Sequence, residues 1–257
     1  MTLKIKCNIL ISTKTGDKMA IVKVKSINDI KLPDSPKIKG GNGEIYQYTG
    51  SLYFKKIPFN KGDLTLKENQ ERLEIITKVM NLQGTKYLIL PQNIYITDDT
   101  LLGYTSKIKE AKTIRNISLN SKYDDIIKSF KLLRKDIRIL ADKDIFNYDT
   151  TSDNILYDGR MYLIDFDNSI YCNDRVYLRT LHNIFATIYL SLVKDGFGSP
   201  LLMERDLETL EQEFKSFKST NYDLYFELLR WKLETYTRKR IKTVGDLRTC
   251  LSLTKRG

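Results

Sequence analysis

Cysteine and histidine are scarce in this 257-residue chain. There are three isolated cysteines (Cys7, Cys172 and Cys250), no Cys-x-x-Cys pair, and one histidine, His182. An odd set of scattered thiols argues against a disulfide framework, and one histidine leaves little from which to build a Cys/His zinc site or a Ser-His-Asp triad. Free thiols fit a reducing compartment, so a cytoplasmic location is expected. No apolar run reaches the roughly 18 residues that a membrane-crossing helix needs. The opening Met1-Thr-Leu-Lys-Ile-Lys-Cys-Asn-Ile-Leu alternates polar and apolar side chains and contains no secretory apolar block.

Positive charge, by contrast, is plentiful. Forty-three Lys and Arg against 32 Asp and Glu give a net charge of +11, densest at Thr237-Arg-Lys-Arg-Ile-Lys242. Charge of this size can attract nucleic acid, an acidic protein or anionic lipid, although a solvated lysine-rich surface has the same composition. The hydrophobic content of 41% is ordinary for a globular protein. The length suffices for one domain or two closely joined lobes.

The pattern is strand-rich first and helix-rich later, which defines an α+β chain. Residues 1–30 read as a β-hairpin extension, with alternating segments Leu3–Ser12 and Met19–Lys25 around Lys14-Thr-Gly-Asp17. Lys31-Leu-Pro-Asp-Ser-Pro36 interrupts regular structure. Residues 31–109 hold several strands and one helix, expected between Lys61 and Leu82, while residues 110–257 are mostly helical. Apolar spacing predicts helices over Tyr123–Ala141, Leu178–Val193, Leu207–Phe217 and Tyr222–Arg238.

Chemistry concentrates in Asn147-Tyr-Asp-Thr-Thr-Ser-Asp-Asn154 and Asp165-Phe-Asp167. Between them lies an apolar hairpin turning at Asp158-Gly159. A carboxylate, an amide five residues on, and a second carboxylate after a hairpin are what phosphoryl transfer from a nucleotide requires: one group for the attacking hydroxyl, two for metal ions. Upstream, Lys39-Gly-Gly-Asn-Gly-Glu-Ile-Tyr-Gln-Tyr48 is a glycine-rich turn between strands, and Leu52-Tyr-Phe-Lys-Lys-Ile57 a strand carrying paired lysines. Lys55 and Lys56 should point to opposite faces.

In this order, the motifs resemble those of the protein kinase-like superfamily, over roughly residues 37–170. The resemblance implies a two-lobed fold, with an antiparallel-sheet N-lobe built around one main helix and a mostly helical C-lobe. It also implies ATP as phosphate donor with Mg²⁺ or Mn²⁺. Asp149 would orient the acceptor hydroxyl and accept its proton, and Asn154 and Asp165 would bind metal. Gly41 and Gly43 would let the backbone approach phosphate, and Lys55 would contact the α- and β-phosphates. Glu71 is the favoured carboxylate to hold Lys55, with Glu74 and Glu68 as alternatives. Lys107, Ile108 and Lys109 correspond to the segment whose backbone meets adenine.

The departures matter as well. Asn147 and Tyr148 replace the histidine and arginine of the His-Arg-Asp motif, and loss of that arginine argues against activation by loop phosphorylation. Asp167 stands where Asp-Phe-Gly has glycine, as in aminoglycoside phosphotransferase-like kinases. No Ala-Pro-Glu sequence follows. The expected function is phosphotransfer to a hydroxyl, with a protein Ser/Thr acceptor favoured over a small molecule. The alternative is a pseudokinase serving as a binding scaffold.

Overall fold

The computed structural model describes residues 9–12, 19–40, 43–57, 66–98, 100–108, 110–193 and 222–254. The chain is α+β and divides into two compact units. The first comprises Met1–Gln83, Ile89–Glu110 and Phe166–Ile170; the second comprises Gly84–Leu88, Ala111–Asp165 and Tyr171–Gly257. No helix among the described residues is long and apolar enough to cross a membrane.

The first unit is built on a sheet of strands β1 (Ile9–Ser12), β2 (Met19–Lys23), β3 (Ile38–Gly40), β4 (Gly43–Thr49), β5 (Leu52–Lys56), β6 (Pro91–Thr97) and β7 (Thr100–Lys107). Their spatial order is β1-β2-β6-β7-β5-β4-β3. The expected N-terminal hairpin forms between β1 and β2, while its turn at residues 14–17 lies outside the described residues. The strands of residues 31–109 pair antiparallel throughout, as expected, and the added hairpin is what makes the whole sheet mixed. β2 joins β6 in parallel, pairing Ala20 with Asn93 and Lys23 with Ile96. The two strands lie far apart in sequence, which frees their pairing from the antiparallel direction that a tight turn imposes.

One helix, α1 (Leu66–Met80), packs on β6 and β7. The expected residues 61–65 of that helix lie outside the described residues. A buried cluster of Ile30, Tyr46, Phe54 and Tyr95 gathers Val22, Val24, Ile27 and Leu32 around it. Phe54 and Tyr95 meet edge to face at 5.3 Å, a favoured aromatic geometry. Gly103 of β7 is required by close approach: a Cβ there would sit 2.3 Å from the Lys55 carbonyl oxygen and 2.6 Å from the Phe54 ring.

The second unit is organised around α2 (Tyr123–Ala141), which has the bounds that its apolar periodicity predicted. Ile126, Ile127, Phe130, Leu133, Ile137 and Leu140 are all buried. Helices α3 (Val176–Val193), α4 (Asp223–Thr237) and α5 (Val244–Thr254) complete its described helical part. Phe130, Phe185 and Phe226 pack at ring distances of 5.1–6.3 Å. Tyr123 donates its hydroxyl to the Phe226 carbonyl at 2.8 Å, and burial pushes its pKa far up. The expected helix at Leu207–Phe217 lies outside the described residues.

Three short strands form the unit's small sheet: β8 (Lys112–Thr113), β10 (Ile155–Tyr157) and β11 (Met161–Leu163), in the order β11-β10-β8. The two-residue strand β9 (Ile145–Phe146) lies between α2 and β10. The β10–β11 hairpin turns at Asp158-Gly159, with Gly159 at φ 101°. The Asp158 carboxylate accepts the Arg160 N–H at 3.1 Å, and Ser129 of α2 donates to the Gly159 carbonyl at 3.0 Å.

Candidate functional site

In the second unit, residues 147–154 form a loop between β9 and β10 that is tied down at almost every residue. Asn147 is fully buried. Its Oδ1 accepts the Asp149 N–H at 3.1 Å, and its Nδ2 donates to the Asp165 carbonyl at 3.1 Å. Asn154 Nδ2 donates to the Asp149 carbonyl at 2.7 Å, and the Asn154 carbonyl accepts the Ile164 N–H at 3.0 Å. Asp149, Asn154 and Asp165 are thereby held in one hydrogen-bonded network. Thr187 of α3 donates to the Thr150 carbonyl at 2.6 Å. Arg115 donates to Ser152 Oγ at 3.1 Å and pairs with Asp153 at 2.8 Å.

By sequence, Asn147 figured only as the residue replacing the histidine of the His-Arg-Asp motif. Its amide instead joins the two halves of the constellation, and one signal was legible: a side chain carrying both a donor and an acceptor within an Asx-rich loop. Asp165 itself lies at φ 68°. A left-handed backbone at a residue other than glycine is uncommon and collects at functional positions, where surrounding contacts enforce it. Here the Asn147 amide grips the carbonyl of that same residue.

The first unit holds the second group of expected residues. Lys55 of β5 pairs across the sheet with Ile45 and Tyr104, and Lys56 with Glu44 and Gly103. Alternation therefore puts the two lysines on opposite faces. Lys56 donates to Glu44 at 2.9 Å, as does the Tyr46 hydroxyl at 2.8 Å. These hydrogen bonds, that of Lys56 foremost, hold the Glu44 carboxyl below its usual pKa. The Glu44 hydrogen bond in turn raises Lys56 and Tyr46. Lys55 is buried and donates to Asp167 Oδ1 at 2.6 Å; the two side chains are 9% and 1% exposed.

That pairing corrects the role expected of Glu71. Its side chain is 55% exposed and pairs with Lys67 on its own helix at 3.8 Å. Ile75, Ile76, Val79 and Met80 are buried, but over residues 67–71 only Asn69 is. Extending the inward face back one turn from Ile75 to Glu71 therefore fails. Glu74 is likewise exposed and pairs with Lys78 at 3.1 Å.

Gly43 is at φ 141°, and a Cβ on it would lie 2.5 Å from the Lys56 carbonyl oxygen. Strand packing alone thus demands a glycine there. Gly41 lies outside the described residues, as does Lys109. Lys107 ends β7 and is exposed. The Ile108 N–H donates to the Ser51 carbonyl at 3.0 Å.

Among the described residues, no group of three or more His, Cys, Asp or Glu is arranged to hold a metal ion. Mg²⁺ seldom uses such a cage; it commonly takes one or two carboxylates together with substrate phosphates. Asp165 and Asn154 fit that donor set. Since Asn154 Nδ2 is engaged by the Asp149 carbonyl, its hard oxygen is the end left to face a cation. Comparisons of the chain with models of known families and with curated proteins find no match.

Proposed function

We propose that this chain is an ATP-dependent phosphotransferase of the protein kinase-like class, with a protein serine or threonine hydroxyl as acceptor. The observation that carries the reading is the network centred on Asn147. It fixes Asp149, Asn154 and Asp165, the three residue types that phosphoryl transfer needs, against one another. The order of glycine-rich turn, lysine strand and helix in the first unit supports it further.

In this mechanism Asp149 orients the acceptor hydroxyl and takes its proton as the oxygen attacks the γ-phosphorus. Lys55 contacts the non-transferred phosphates. Asn154 and Asp165 would hold Mg²⁺, or Mn²⁺ in its place, which when bound offsets the phosphate charge. The loop bonds from Thr187 and Arg115 keep Asp149 in place without the arginine of the His-Arg-Asp motif.

The test is transfer of label from γ-labelled ATP, with Mg²⁺, to a Ser/Thr-rich protein and separately to small alcohols. Transfer to protein is expected, falling at least about a hundredfold in Asp149→Ala, the usual scale for losing a general base. Asp165→Asn should lose metal-dependent transfer. Transfer to small alcohols alone would move the acceptor to the small-molecule class. ATP binding without any transfer would make the chain a nucleotide-binding scaffold.

A further inference from the structure

We infer that Asp167 is the positioning residue for the phosphate-contacting Lys55, the role that the sequence assigned to a glutamate of α1. The inference rests on the phosphotransferase reading and extends it, because it names what holds the lysine.

A lysine buried in a strand needs a carboxylate within hydrogen-bonding reach, because an uncompensated ammonium in a dry interior is costly. Lys55 has one: Asp167 Oδ1 at 2.6 Å, with both side chains almost fully enclosed. That is a short charge-assisted hydrogen bond. Glu71, by contrast, pairs with Lys67 in solvent.

The exchange has a mechanistic consequence. Asp167 lies two residues beyond Asp165, so the segment that would bear the metal ligand also bears the carboxylate that aims the lysine. Orientation of Lys55 then depends on that segment. Aspartate in place of the glycine of Asp-Phe-Gly is what makes this possible, since glycine has no carboxylate to offer.

Steady-state kinetics of Asp167→Asn provide the test, with ATP and Mg²⁺ varied separately. The expected result is a KM for ATP raised about tenfold, with the Mg²⁺ requirement unchanged, as loss of a phosphate-positioning contact predicts. Asp167→Glu should recover part of the loss. A raised Mg²⁺ requirement with unchanged KM for ATP would make Asp167 a metal ligand and overturn the inference. So would an unchanged Asp167→Asn enzyme beside a Glu71→Gln variant with raised KM.

Thermal melting supplies a second readout should Asp167→Asn fold poorly. Lys55→Met and Asp167→Asn each remove one member of a buried charge pair, whereas Lys55→Met/Asp167→Asn removes both. The double variant should therefore melt several degrees above Asp167→Asn alone. Failure to do so also overturns the pairing. Inactivity of the wild type, with no ATP binding, sinks the phosphotransferase reading and this role with it. Failure of the role alone looks different: the wild type is active and Asp167→Asn matches it.

Discussion

At Asn147 a single buried amide accepts the Asp149 N–H and donates to the Asp165 carbonyl. Truncating it leaves two main-chain groups to find new partners, at about 1–3 kcal/mol for a buried group left unpaired. Asn147→Ala is accordingly expected to lose stability on that scale in urea denaturation, and to lose phosphoryl transfer because Asp149 and Asp165 are no longer tied together. Asn147→Asp keeps an acceptor for the Asp149 N–H but turns a buried carboxylate oxygen on the Asp165 carbonyl, so it should be no more stable than Asn147→Ala. Equal stability of Asn147→Ala and wild type would remove Asn147 from this role. The same scale explains why Lys55 and Lys56, adjacent in sequence, have different partners: alternation sends one to Asp167 and the other to Glu44.

Among the elements, α5 shows a local rule at work that periodicity alone did not reveal. Thr243 Oγ1 accepts the Asp246 N–H at 3.1 Å, while Asp246 Oδ2 accepts the N–H groups of Thr243 at 2.9 Å and Lys242 at 3.0 Å. This is a capping box, legible in Thr243-Val-Gly-Asp246 but missed because the helix it starts is short and carries a glycine in its first turn. Those hydrogen bonds, the Lys242 N–H first, lower the Asp246 pKa from 3.8. A depressed carboxylate stabilises the fold above its unfolded pKa and loses that contribution as pH falls through the folded value. Asp246→Ala should cost about 0.5–2 kcal/mol at neutral pH, as cap losses do. Its difference from wild type should shrink as pH drops below 3.8. Denaturation curves at pH 7 and at about pH 2.5, well below ordinary carboxylate values, would check this.

At the scale of the whole molecule, the two units interleave along the chain, and Gly84–Leu88 belongs to the second unit although both its flanks belong to the first. Asp136 of α2 explains how that short segment is held. Its buried carboxylate accepts the Lys86 N–H at 2.6 Å and the Tyr87 N–H at 2.5 Å, and the Tyr87 carbonyl accepts the Leu163 N–H at 2.9 Å. Hydrogen bonds to a charged group contribute about 1.5–3 kcal/mol each. Asp136→Ala is therefore expected to lose about 3 kcal/mol or more by urea denaturation. Amide exchange at Lys86 and Tyr87 should also become faster. Unchanged exchange at both amides would count against this account.

The sequence by itself determined what depends on neighbours within a few residues. The α2 bounds followed from apolar spacing, the β10–β11 hairpin from Asp158-Gly159, and the opposite faces of Lys55 and Lys56 from strand alternation. Candidate chemistry was legible for a similar reason, since Asp149, Asn154 and Asp165 lie close together in the chain. Tertiary structure alone decided the parallel pairing of β2 with β6 and the choice of Asp167 over Glu71 as partner of Lys55. Lys55 and Asp167 are 112 residues apart. Which carboxylate a buried lysine meets is settled by how distant segments pack, and no local period records that.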